Sequence, residues 1–229
     1  MQLDDVIPWG RTLQEYRAMF SLSKADLSLS ILGCGDGPAS FNAEMTELGH
    51  SVVSIDPIYH FSAEQIEQRV RATYETVVSQ VRQNSDRYVW QNFLNADQLG
   101  QARLGAMETF LRDYETGKAA GRYLNQALPS LTFDDQQFEL CLCSHLLFLY
   151  SEQRSLQFHI ASIHELLRVA TEVRIFPLIK LNGQPSPYVE PVINSLPDQW
   201  FSIQIKTVAY EFQKGGNQML QISRRAIAE

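Results

Sequence analysis

The sequence predicts an α/β protein built on one doubly wound, mainly parallel sheet. Apolar runs of strand length alternate with segments whose apolar residues recur at helical spacing. The first apolar run ends in a glycine-rich turn at 33–37 and the second ends at Asp56, which is the pattern of a βαβ unit. The chain closes on two strand-like runs joined through Lys214-Gly-Gly-Asn217, which is typical of an antiparallel hairpin.

The length, composition and net charge of the chain limit the class of protein. A chain of 229 residues with 45% hydrophobic content can bury a full core and fits a single domain, 1–229, with an insertion. Its 26 acidic against 19 basic residues give a net charge of −7, which offers little electrostatic support for an extended nucleic-acid surface. Small-molecule or protein partners are therefore favoured over nucleic acid.

Membrane segments and disulfides are not expected. No run approaches the ~20 apolar residues that span a bilayer, and the start Met-Gln-Leu-Asp-Asp lacks the basic region of a signal peptide. We expect a cytoplasmic protein. Three cysteines without paired spacing argue against a disulfide scaffold and against structural zinc, and Cys141 and Cys143 are predicted to be buried on a strand.

The glycine-rich turn favours a cofactor site. Gly33, Gly35 and Gly37 alternate, so one side of the turn carries no Cβ atoms and its backbone can pass against a flat ligand. A βαβ unit with such a turn and an acid such as Asp56 after its second strand binds a ribose. The dinucleotide fingerprint would require glycine or alanine where the chain has Pro38, so a nicotinamide-dependent oxidoreductase is a disfavoured alternative.

The spacing G-x-G-x-G resembles motif I of the class I S-adenosylmethionine-dependent methyltransferases. In that family the turn lies under the methionine part and ribose of the cofactor, and the acid after strand two holds the ribose hydroxyls. The resemblance implies S-adenosylmethionine as cofactor, S-adenosylhomocysteine as product, and a Rossmann-like seven-stranded doubly wound sheet with an antiparallel strand seven. The cofactor-binding residues that it implies are Gly33, Cys34, Gly35, Asp36, Gly37, Asp56, Pro57, Ala127, Leu128 and Ser144.

Two helices flank the first strand. A helix over 12–20 is predicted from the capping box of Thr12 and Glu15. Since a helix in this place often roofs the cofactor in the family, Arg11 and Tyr16 are candidates to face the pocket.

The helix after the turn is predicted to begin at Pro38, which suits a first helical position, and to end before Gly49. The helical spacing places Phe41, Met45 and Leu48 on one face of this helix.

An insertion is predicted at 62–120, with two long helices where the family commonly has one. The first spans 62–84, and the second spans 96–116 and stops at Gly117. Placed beside strands two and three, the insertion could cover the substrate, and Tyr59 just before it is a further substrate candidate. Most of its charged residues are predicted to be solvated.

Strand three is predicted at 121–125, and Ala127 stands where the family usually presents an acid to the adenine. Backbone and apolar groups such as Leu128 would then recognise the adenine. Ile31 likewise stands where motif I often opens with an acid.

Strand four, 138–143, ends in Ser144 and His145, which resembles motif IV of small-molecule methyltransferases. The resemblance and the carboxyl end of the strand put both residues near the sulfonium. His145 is either a general base or a histidine packed over the cofactor. His159 and His164 lack the i, i+4 spacing of a metal pair and are expected to have surface or partner roles. The remaining predicted elements are a helix at 153–168, a strand at 172–176, a loop with a short helix at 181–197, and strands at 201–210 and 218–224.

The sequence therefore predicts an S-adenosylmethionine-dependent methyltransferase acting on a small acceptor. A non-catalytic module that binds the cofactor or a partner protein is the other alternative, because Ile31 and Ala127 replace expected acids.

Overall fold

The computed structural model describes residues 9–225, which form seven strands and six α-helices. The strands are β1 (Ile31–Cys34), β2 (Val52–Ile55), β3 (Tyr123–Leu124), β4 (Phe138–Ser144), β5 (Ala170–Phe176), β6 (Phe201–Thr207) and β7 (Gln218–Arg224). The helices are α1 (Leu13–Met19), α2 (Phe41–Glu47), α3 (Ala63–Gln83), α4 (Ala96–Ala119), α5 (Leu156–Val169) and α6 (Val189–Asn194). None of the helices within this range is both long enough and apolar enough to cross a membrane.

The strands form one sheet in the order β3-β2-β1-β4-β5-β7-β6. The first five strands pair in parallel, whereas β7 runs antiparallel to both β5 and β6. This is the predicted Rossmann-like sheet of class I methyltransferase type, with its reversed strand seven. The strand order changes direction between β1 and β4, and ligands of such sheets bind beyond the carboxyl ends of the strands at that point.

The central strands are buried on both faces, as parallel strands covered by helices require. On β4, Leu140 and Leu142 pack in the cluster on the side of α1 and α2, and Cys141 and Cys143 pack in the cluster on the side of α5. Cys141 and Cys143 are free and buried, which confirms their predicted packing role, and Cys34 is free and buried as well.

The start of α2 differs from the prediction. The helix begins at Phe41 rather than at Pro38, with Ser40 as its N-cap. The N–H of Ser40 donates to the carbonyl of Arg11 at 3.1 Å, so the segment before α2 is held by the chain entering α1 instead of extending the helix.

Two glycines were predicted to end helices, and the prediction is confirmed for Gly49 and wrong for Gly117. Gly49, at φ +81°, ends α2 as predicted. Leu48 is the C-cap residue and is 61% exposed, so it does not share the burial of Phe41 and Met45. Gly117 does not stop α4, because it lies inside the helix, where a Cβ atom would stand 2.4 Å from the ring of Tyr123. The helix ends instead before Gly121, whose φ is +74°.

The insertion has the two predicted long helices, α3 and α4, which pack on each other. Their shared core includes Ile66 and Val70 from α3 and Met107 and Phe110 from α4. In α5, by contrast, the surface or partner role expected for His159 is wrong. Its ring is fully buried, and its Nε2 accepts the N–H of Phe148 at 3.1 Å, which ties the loop after β4 to α5.

Candidate functional site

A cavity of 940 Å³ lies at the carboxyl edge of the sheet, at the change of strand direction. Its walls include the last residues of β1, β2, β4 and β5, and one side is closed by α3 and α4 of the insertion. This volume is near the upper end of the ~300–1,000 Å³ typical of small-molecule sites. The insertion thus forms part of the cavity wall.

The cavity brings together most of the residues singled out in the sequence. The predicted residues that line it are Arg11, Cys34, Gly35, Asp36, Gly37, Asp56, Pro57, Ala127, Leu128, Ser144 and His145. Gly33, Tyr16 and Tyr59 do not line it.

Gly33 is required for packing inside the turn and does not contact the cavity. A Cβ atom at Gly33 would stand 1.8 Å from Oδ2 of Asp36, so the absence of a side chain makes room for that carboxylate rather than for a ligand. Gly35 and Gly37 have φ values of +71° and +55°, which glycine adopts without penalty. These two glycines are the ones that shape the cavity wall.

Asp36 is buried beneath the turn and is held by two hydroxyl groups. Tyr16 donates to its Oδ1 at 2.7 Å, and Ser54 donates to its Oδ2 at 2.6 Å. Burial raises the pKa of Asp36 to about 7, and the nearby charge of Asp56 acts in the same direction against the two hydrogen bonds. Asp36 therefore titrates near neutral pH.

Asp56 follows β2 and faces the last glycine of the turn. Its Oδ2 accepts the N–H of Gly37 at 3.0 Å, and its Oδ1 accepts the N–H of Ile58 at 2.9 Å. Burial raises the pKa of Asp56 to about 6 although both bonds favour the ionised form. Since a carboxylate has about four acceptor sites, each oxygen keeps one for a further donor.

Tyr16 and Tyr59 support the turn instead of facing the pocket. Both are 1% exposed. The ring of Tyr16 stacks on Phe41 with centroids 4.2 Å apart while its hydroxyl binds Asp36, because the apolar face of α1 packs on α2. The hydroxyl of Tyr59 donates to the carbonyl of Gly37 at 2.8 Å. Their prediction as lid or substrate residues is wrong.

Ser144 and His145 meet at the end of β4. The hydroxyl of Ser144 is 3.0 Å from Nδ1 of His145, and the N–H of His145 donates to the carbonyl of Phe176 at 2.7 Å. Burial lowers the pKa of His145 well below its usual value, and the charges of Arg11 and Arg103 lower it further. The imidazole is therefore neutral at pH 7.

Arg103 was not predicted as part of the site. It is 1% exposed, and its Nη1 donates to Oε2 of Glu15 at 2.5 Å while its Nη2 donates to the hydroxyl of Tyr210 at 3.2 Å. Burial alone would raise the pKa of Glu15, but Arg103 holds it below its usual value. The signal in the sequence is that Arg103 lies on the apolar stripe of α4 between Leu99 and Met107, and the expectation of solvated arginines fails there.

Comparison with known proteins gives one relative along the full chain. The sequence is 33% identical over 225 residues to an uncharacterised protein, MJ0045, of Methanocaldococcus jannaschii, with 98% of this chain and 99% of the relative covered. No protein-family model matches the chain.

The solved structures that are similar to this chain include two methyltransferases. Magnesium protoporphyrin IX methyltransferase of Synechocystis, crystallised with S-adenosylmethionine, is 15% identical with a TM-score of 0.48, covering 93% of this chain and 78% of that one. A SAM-dependent methyltransferase of Aquifex aeolicus is 12% identical with a TM-score of 0.43, covering 93% and 88%.

Proposed function

Because the chain belongs to the same family as MJ0045 of Methanocaldococcus jannaschii and has the class I methyltransferase sheet, we propose that it is an S-adenosylmethionine-dependent methyltransferase acting on a small-molecule acceptor. The observation that carries the proposal is the position of Asp56. Its carboxylate lies on the cavity wall, bonded to the N–H of Gly37, with acceptor capacity left on both oxygens.

The turn fits the cofactor. A Cβ atom at Gly37 would meet nothing closer than Oδ2 of Asp56 at 3.9 Å, so the glycine leaves a space in front of that carboxylate. Such a space next to two acceptor oxygens suits a sugar with neighbouring hydroxyls. Gly35, Gly37 and Asp56 would hold the ribose side of the cofactor, and Ala127 and Leu128 would contact the adenine.

The reaction places modest demands on the protein. When bound, the cofactor supplies a methyl group on a positively charged sulfur. Positioning of the two reactants contributes ~7–11 kcal/mol in well-oriented reactions, so no acid is required. The neutral imidazole of His145, held at Nδ1 by Ser144, has its Nε2 available to accept the proton that the acceptor loses.

Calorimetry with S-adenosylhomocysteine tests the proposal. We expect one molecule to bind per chain, and we expect Asp56→Ala to abolish binding while Asp198→Ala, at an exposed position, leaves it unchanged. No binding by the wild type, or equal binding by Asp56→Ala, would contradict the proposal.

Turnover is a separate measurement, made with a methyl-labelled donor and a panel of small acceptors. Binding without transfer to any acceptor would favour the non-catalytic module, and binding of NADH instead would favour the oxidoreductase. The antiparallel β6–β7 pair does not support that last alternative.

A further inference from the structure

Arg11 lies on the cavity wall with hydrogen-bonding capacity to spare. Across residues 9–225, its guanidinium makes a single hydrogen bond, from Nη1 to the carbonyl of Trp9 at 3.2 Å, and no carboxylate lies within 4.0 Å of it. Its Nε is buried without any partner in the same range. Buried polar groups are nearly always hydrogen-bonded in native proteins, so this nitrogen points to a missing acceptor.

The backbone of Arg11 is fixed next to the segment that follows the glycine turn. Its carbonyl accepts the N–H of Ser40 at 3.1 Å, which fixes the backbone of Arg11 to the segment before α2. The preceding Gly10 lies so close to this segment that a Cβ atom would stand 2.1 Å from the carbonyl oxygen of Pro38. Arg11 is therefore held at one place beside the glycine turn.

The positive charge of Arg11 has no ion-pair partner within residues 9–225. Arg103 is paired with Glu15, whereas Arg11 has no carboxylate partner among the described residues. Burial and the charge of Arg103 lower the pKa of Arg11, and the smaller effects of Tyr210 and Glu15 in the opposite direction do not cancel them. A single negative charge would balance that of Arg11, and a carboxylate carries one where a phosphate carries up to two.

Much of the lining of the same cavity is apolar or aromatic. These lining residues include Leu149, Tyr150, Phe176, Ile179 and Phe212. A ligand that satisfies both features has an apolar body and one acidic group.

We propose that the methyl acceptor is a carboxylic acid with an aromatic or aliphatic body, whose carboxylate binds Arg11. This proposal rests on the proposed function. A carboxylate bound to Arg11 would also offset the positive charge that lowers the pKa of His145, so an acidic acceptor makes the imidazole a stronger base. The α-carboxylate of the cofactor has the same chemistry, and the experiment separates the two sources.

The test uses the full chain saturated with S-adenosylhomocysteine. Benzoate, salicylate, phenylacetate and hexanoate are titrated by calorimetry, each against its neutral amide. We expect at least one acid to bind at least tenfold more tightly than its amide, and Arg11→Gln to weaken that acid by about tenfold or more. Arg17→Gln, an exposed arginine on α1, is the matched control and should behave as the wild type.

The wild type provides a readout that needs no variant. Binding of the acid should raise the pKa of the His145 imidazole, followed by NMR, and binding of the amide should not. Equal binding of acids and amides, no binding of any acid, or an unchanged affinity in Arg11→Gln would overturn the proposal.

The affinity for S-adenosylhomocysteine distinguishes the remaining cases. If Arg11→Gln loses this affinity and keeps that for the acid, the anion on Arg11 is the cofactor's carboxylate and the proposal is wrong. If the wild type itself does not bind S-adenosylhomocysteine, the proposed function has failed.

Discussion

The carboxylate of Asp56 accepts the N–H of Gly37 at 3.0 Å, and this bond joins the end of β2 to the last glycine of the turn after β1. The same glycine donates through its N–H to Asp56 and accepts through its carbonyl from Tyr59. The turn is thus held from both sides by groups that follow β2, so its shape depends on them.

The pH dependence of cofactor binding should follow Asp56. Burial raises the pKa of Asp56 to about 6, and hydroxyl donors prefer its ionised form. The affinity for S-adenosylhomocysteine should be constant above about pH 7 and fall by up to about tenfold per pH unit below 6. In Asp56→Asn the affinity should be weaker by about 10–100-fold at pH 8, since a hydrogen bond to a charged group contributes about 1.5–3 kcal/mol. The affinity of this variant should not change between pH 8 and pH 5. Calorimetry from pH 5 to 8 measures the affinity of the wild type and of the variant. A wild-type affinity that does not change with pH would contradict the role given to Asp56.

Asp36 should make the free energy of unfolding fall as the pH rises, whereas the cofactor affinity is expected to increase with pH. Its pKa is about 7 in the folded protein against 3.8 for an unperturbed carboxyl, so the folded state keeps a proton that the unfolded state releases between these values. Its contribution to the free energy of unfolding therefore falls as the pH rises from about 4 to 7. Between pH 5 and 8 the loss is about 2–3 kcal/mol, at 1.36 kcal/mol per unit.

A comparison with Asp36→Asn isolates this contribution. The buried imidazoles His145 and His159 have lowered pKa values and act with the opposite sign over this range. The difference in free energy of unfolding between Asp36→Asn and the wild type, measured in urea, should therefore shift in favour of the variant as the pH rises from 5 to 8. Asp198→Asn should give no such shift.

The fold was predictable because its signals are local. The glycine turn, the capping box of Thr12 and Glu15 and the closing hairpin each occupy a few neighbouring residues, and the structure confirms all three elements. The orientations of Tyr16 and Tyr59 were not predictable in this way. Helical spacing identifies the apolar face of α1, but it does not tell whether that face meets a ligand or another helix, and here it meets Phe41 of α2.

The buried group around Arg103 was missed for a related reason. Its partners, Glu15 and Tyr210, lie 88 and 107 positions away in the sequence, and only the sheet topology brings them together. A charged residue on an apolar stripe indicates burial, but it names no partner.

Tyr59→Phe should weaken the site through the turn. The change removes the hydroxyl that donates to Gly37 and keeps the ring, which packs on Phe110 and Tyr123. We expect a loss of about 1–2 kcal/mol in the free energy of unfolding, because a buried carbonyl loses its donor, and a several-fold weaker affinity for S-adenosylhomocysteine.

Tyr114→Phe is the matched control for this change. Its hydroxyl donates to the carbonyls of Tyr59 and Phe61 in the same aromatic cluster, with no bond to the glycine turn. It should lose similar stability and keep its affinity. Equal losses of affinity in both variants would mean that the cluster as a whole, and not the bond to Gly37, holds the turn.

Gly33→Ala should be destabilising only while Asp36 is present. A Cβ atom at Gly33 would stand 1.8 Å from Oδ2 of Asp36, so alanine would displace the carboxylate from Tyr16 and Ser54. We expect a loss of more than about 2 kcal/mol in the wild-type background and much less in the background of Asp36→Ala, which is a coupling of about 1–3 kcal/mol between contacting residues.

Urea unfolding of the two single variants and the double variant measures this coupling. Gly105→Ala is a suitable control, because a Cβ atom there meets nothing within 4 Å and the residue lies inside α4. Alanine at position 105 should stabilise the protein by up to about 1 kcal/mol in either background, as expected for glycine replaced in a helix. If Gly33→Ala costs the same with and without the Asp36 carboxylate, then Gly33 is needed for a reason other than that carboxylate, and close approach of the cofactor to the backbone becomes the better explanation.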